Sequence, residues 1–178
     1  MHASRIATRI ITRRTRAHAL ALAMTLALTA CAPMVRQAPP IGAPLAEVTA
    51  KFGQPSAVYP EPGGGQVLEY RGQPMGQFQH MARIGPDGRL VAFEQVLTSE
   101  HFARVQVDRS TKDDILRMFG RPAEVSRVGF HDYEVWSYRY KESGVWNSMM
   151  HVHFDERGVV RQMLNGPDPM YDDRFRHR

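Results

Sequence analysis

The chain has 178 residues and a single cysteine, and its 23 lysines and arginines outnumber 18 aspartates and glutamates, for a formal charge of +5. The whole excess is Arg5, Arg9, Arg13, Arg14 and Arg16; beyond Ala30 the basic and acidic residues balance, so the basic total does not signal a nucleic-acid partner. One cysteine excludes an internal disulfide, and the roughly 150 residues beyond Ala30 suffice for one ordinary domain or two very small ones.

The five arginines precede an apolar run, residues 17–30, that contains no acidic residue. That is the layout of a secretory signal, and the run is short of the roughly 20 residues that a permanent membrane helix needs. It ends in Leu28, Thr29, Ala30 and Cys31, which resembles the lipobox of bacterial lipoproteins. The resemblance implies that Cys31 carries acyl chains after the leader is removed, and several chains at about 0.8 kcal/mol per buried methylene make a stable anchor. Ala32 follows where an aspartate would favour the inner membrane, so the outer membrane is expected. A stretch rich in proline and alanine then reads as an extended tether.

An internal repeat follows. "LAEVTAKFGQPSAV" and "KDDILRMFGRPAEV" share a pattern in which Phe52, Gly53 and Pro55 match Phe119, Gly120 and Pro122. The match continues from Tyr70 to Tyr138 and from Gly88 to Gly158. In the second unit Ser110 or Thr111 is a good helix N-cap, and Asp113 and Asp114 suit the positive end of the helix dipole. Ile115, Leu116, Met118 and Phe119 form an apolar side, and Gly120 with Pro122 stops the helix.

The strand "EVWSYRY" puts Trp136, Tyr138 and Tyr140 on one face and Val135, Ser137 and Arg139 on the other. "MMHVHF" likewise separates Met150, Val152 and Phe154 from Met149, His151 and His153, and "DERG" turns the chain into "VVRQML". Each unit is therefore expected to be a helix and a three-stranded antiparallel meander, an α+β fold with helices on one face of the sheet. The first unit starts less well, because Pro44 and Leu45 replace the capping pair, and its loop "YPEPGGG" is looser. The expected organisation is a signal peptide (1–30), a lipidated N-terminus and tether (31–40), two repeats (41–98 and 105–168) and a flexible tail (169–178).

The helix start, the Gly120-Arg121-Pro122 stop, the Trp136-x-Tyr138 strand and the "FDERGVV" hairpin together resemble the SmpA/OmlA family of BamE-like outer-membrane lipoproteins. That resemblance implies support of the β-barrel assembly machine (the BAM complex). The duplication is a departure from that family's single unit and looks more like the β-lactamase inhibitor protein fold, which implies a concave protein-binding surface.

Catalytic motifs are not found: no serine lies in a nucleophile motif, and no histidine pairs with a carboxylate at a telling spacing. His151 and His153 point the same way from one strand, as zinc ligands do, with His131 or Asp155 as candidate third ligands. Two solvated histidines are the expected reading, with no metal and no cofactor. Trp136, Tyr138 and Tyr140 are expected in the core. The opposite face would then present Arg139, Met149, His151, His153, Arg161 and Met163 as an open, adaptable partner surface. Trp146, in the loop "KESGVWNS", is a further candidate anchor for a partner or for the lipid interface.

The sequence thus suggests a non-enzymatic lipoprotein, facing the periplasm, that binds envelope proteins. An alternative is an inhibitor-like or scavenging module that binds a periplasmic enzyme through the tandem sheet face. A third is a metal-dependent envelope protein centred on His151 and His153.

Overall fold

The computed structural model describes residues 38–129 and 132–171. Cys31 with the expected leader, His131 and residues 172–178 lie outside the described residues, as therefore do the expected lipidation, one candidate zinc ligand and most of the expected tail. No helix among the described residues is long and apolar enough to cross a membrane.

The fold is mostly β. Helix α1 (Leu45–Phe52) leads into strands β1 (Ala57–Pro60), β2 (Gln66–Arg71), β3 (Gln79–Ile84) and β4 (Leu90–Gln95). A short helix α2 (Ser99–Phe102) and helix α3 (Lys112–Phe119) precede β5 (Glu124–Val128), β6 (Tyr133–Glu142), β7 (Trp146–Phe154) and β8 (Val160–Pro167). The strands form two separate antiparallel meanders in tandem, ordered β1-β2-β3-β4 and β5-β6-β7-β8.

Each sheet has four strands where the sequence suggested three. The additions, β1 and β5, follow the two helix stops and pair with β2 and β6. All five residues of β5 are exposed, so the strand has no apolar alternation to reveal it. β1 is only four residues long and ends in Pro60, which suits an edge strand.

Local chemistry explains the two longer helices. Thr111 Oγ1 accepts from the Asp114 N–H at 3.3 Å and Asp114 Oδ2 accepts from the Thr111 N–H at 2.9 Å, a complete capping box for α3. At α1 the N-cap is Pro44, which makes no side-chain bond, so this helix lacks a contribution typically worth about 1 kcal/mol. Buried residues four apart, Ile115 and Phe119, fix the inner face of α3.

Register shows how the layers stack. Leu68 is paired with Ala82 on one face of the first sheet and joins Val48, Ile84 and Leu90 under α1, with Phe52, Tyr70 and Phe93 closing the cluster. Val67 and Met81, on the opposite face, belong to the larger core with Phe102, Ile115 and Phe119. Trp136, Tyr138, Tyr140, Val152 and Phe154 complete that core from the second sheet, as the alternation of β6 and β7 suggested. Helix α1 thus covers one face of the first sheet and α3 one face of the second, and α3 also meets the other face of the first sheet, so that it lies between the two.

A polar clasp secures the α3 stop. Glu69, fully buried on the inner face of the first sheet, accepts from the Tyr59 hydroxyl at 2.5 Å and from the Arg121 N–H at 3.2 Å. Gln79 donates to the Phe119 carbonyl, Arg71 donates to the Pro122 carbonyl at 2.8 Å, and the Tyr138 hydroxyl donates to the Gly120 carbonyl at 2.9 Å. These bonds satisfy carbonyls that a helix end leaves without partners. Burial, with Glu69 beside it, pushes the Tyr59 phenol well above its usual range.

Candidate interaction surface

One end of the second sheet collects three connections. The first is the β2–β3 connection, residues 72–78. Strand β5 begins at Glu124, opposite Ser137, so the part of β6 after Ser137 has no strand on that side. The Gln73 side chain fills the gap: its Nε2 donates to the Arg139 carbonyl at 2.8 Å, and the Arg139 N–H donates to its Oε1 at 3.3 Å. A primary amide carries the donor and acceptor of a peptide group, so Gln73 continues the ladder in place of a strand. Gln77 adds a bond to the Tyr140 carbonyl at 3.4 Å.

The β6–β7 turn is the second connection. Ser143 and Gly144 both have positive φ, and the Val145 N–H donates to the Glu142 carbonyl at 3.0 Å. That conformation matches the twist of the flanking strands. The third follows β8: the Asp168 N–H bonds the Asn147 carbonyl at 3.0 Å, and the Tyr171 hydroxyl donates to the Met75 carbonyl at 3.1 Å.

These bonds hold apolar side chains out in water: Met75 is 66% exposed, Phe78 49%, Val145 64%, Trp146 69% and Tyr171 37%. Aromatic residues and methionine dominate the set, the composition enriched at the centres of protein interfaces. Sequence reasoning singled out Trp146, which is exposed, but not Met75 or Phe78, whose surroundings, "GQPMGQF", have no periodicity.

The other expected partner residues are more enclosed than an open face. Arg139 is buried and ion-paired with Glu124 and Asp168, and Met149, also buried, lies 3.8 Å from its Nη1. His151 is half-buried, with Nδ1 2.7 Å from Ser137 Oγ. His153 is buried and set edge-on to the Tyr133 ring. Burial lowers the pKa of both histidines; Glu124 opposes the shift at His151, and the charge of His151 adds to it at His153.

Arg161 and Met163 do not share that face. The register slips by one residue between His153 and Phe154, so Gln162 and Leu164 face outward while Met163 packs on the core. Arg161 is tied to Asp155 at 2.8 Å and to Asp108 at 2.7 Å. Asp155 is thereby engaged, and among the described residues no group of three or more metal-binding side chains comes together.

No family model and no curated protein matches the chain. The resemblance to the SmpA/OmlA family is therefore corrected, and the analogy to the inhibitor protein fold with it. The quoted motifs report a helix stop, an aromatic strand and a glycine turn, which any helix-and-meander unit needs, and the units themselves carry four strands. Among solved structures, a DUF4309 family protein (YjgB) from Bacillus subtilis subsp. subtilis str. 168 is similar at 17% identity, over 69% of this chain and 77% of that one, with a TM-score of 0.31. At that score the likeness supports no inference about this chain.

Proposed function

We propose that this chain is a non-enzymatic protein-binding module of the cell envelope, anchored in the outer membrane through Cys31, and that its exposed apolar end receives an envelope protein on the periplasmic side. The reading rests on one observation: hydrogen-bonded connections hold Met75, Val145 and Trp146 out in solvent at the same end of the second sheet. Fully burying a large apolar side chain against a partner is worth about 1.5–3 kcal/mol, so two or three such anchors give a useful contact. A lipid tether raises the effective concentration of both partners on one membrane, which lets a modest contact suffice. The anchor itself is supported by the arginine-led apolar run that ends at Cys31. A place in β-barrel assembly rested on the family resemblance alone and is not part of the proposal.

The test is in-cell photo-crosslinking with a photoreactive amino acid at position 146 and, as a control, at exposed position 51 on α1. A discrete adduct from position 146, absent from position 51 and weakened by Cys31→Ala, is the expected result. No adduct from 146, or the same adducts from both positions, would sink the reading.

A further inference from the structure

A cleft of about 480 Å³ opens beside α3, between the first sheet and the α2–α3 connection. Four guanidinium groups reach it: Arg83 from β3, Arg104 and Arg109 from the connection, and Arg117 from α3. Glu61 pairs with Arg83, and Asp114 pairs with Arg117 at 2.7 Å. Asp114 is further committed to the α3 capping box, and those bonds together with Arg117 hold its carboxyl below the usual range. Arg104 and Arg109 have no carboxylate partner among the described residues, so the cleft carries a surplus of two positive charges.

A second, more enclosed compartment of about 230 Å³ adjoins it and shares Arg83, Arg104, Arg117 and Met118. Its floor is apolar, made by Val67, Met81, Val96 and Met118. Glu94 stands at its rim, 3.5 Å from His101 Nε2. A polar mouth with unpaired arginines above an apolar slot has a definite chemical complement. Guanidinium forks match the oxygens of a phosphate or carboxylate. The slot calls for hydrocarbon, and methionines adapt to its shape.

We infer that this cleft binds an organic anion with an apolar tail, its phosphate or carboxylate head held by Arg104 and Arg109 and its tail in the slot floored by Val67, Met81, Val96 and Met118. An inorganic anion alone lacks the part that fills the slot. The site is separate from the apolar end described above and does not depend on it.

Isothermal titration of the purified chain with octyl phosphate, inorganic phosphate and octanol tests the inference. Octyl phosphate should bind one to one, at least tenfold more tightly than inorganic phosphate, with octanol showing no saturable binding. Arg104→Gln with Arg109→Gln should raise the octyl phosphate Kd tenfold or more while leaving the melting temperature unchanged, because neither side chain has an ion-pair partner among the described residues. Equal affinity for inorganic and octyl phosphate would overturn the apolar half of the site. An unchanged Kd in the double variant, or no binding of octyl phosphate at all, would overturn the site itself.

Discussion

Two glycines related by the internal repeat show how one residue type takes different loads. Gly53 and Gly120 both stop a helix with φ of +83° and +71° and extended ψ, a backbone region essentially confined to glycine. A Cβ on Gly53 would meet nothing within 4 Å, whereas one on Gly120 would stand 2.3 Å from Gln79 Nε2 and 2.8 Å from Glu69 Cδ. Gly53→Ala should therefore cost only the backbone strain, about 1–3 kcal/mol. Gly120→Ala adds a steric clash with the buried clasp and should cost several kcal/mol, of the order seen for severe core disruption. Urea denaturation of the two variants checks this, and equal losses would show that the clasp contributes nothing. Both glycines were legible as helix stops from Phe-Gly-x-Pro alone. The difference between them was not, since it arises from residues far away in the sequence.

At the scale of elements, β7 brings two histidines to one face with a consequence for pH. His151 and His153 have lowered pKa values, chiefly through burial, and His80 on β3 is lowered for the same reason. The unfolded chain then takes up protons near the ordinary histidine value of about 6.5, while the folded chain resists until lower pH. More protons bound by the unfolded state means that stability falls as pH drops through that window. The melting temperature should decrease from pH 7.5 to 5.5. Replacing His151 and His153 with glutamine should flatten most of that slope, with His80 leaving a remainder, and a flat wild-type profile would contradict the assignment. The elements themselves were read unevenly. Helix α3, β6 and β7 follow from capping and alternation, while β5 escaped because an exposed edge strand imposes no pattern on its side chains.

For the whole molecule, the decisive feature is that α3 serves both sheets. Its apolar side completes the core shared by Val67 and Met81 with Trp136, Tyr138 and Phe154, and its end is gripped from the first sheet by Glu69 and Gln79. Glu69→Ala would leave the Tyr59 hydroxyl and the Arg121 N–H without their acceptor, at a cost of about 2–3 kcal/mol. Because the clasp joins the sheets, denaturation should remain a single transition displaced as a whole. Two transitions, with only one displaced, would show that the sheets unfold independently.

The sequence by itself determined the repeat, the helix stops, the aromatic core strand and the charge balance beyond Ala30, because each is read from the chain without knowing which distant residues it meets. Only the tertiary structure decided that α3 lies between two sheets, that Gln73 stands in for a strand beside Arg139, and that Arg83, Arg104, Arg109 and Arg117 meet in one cleft. Those features join residues tens of positions apart, and side-chain periodicity carries no record of which distant face a residue will meet.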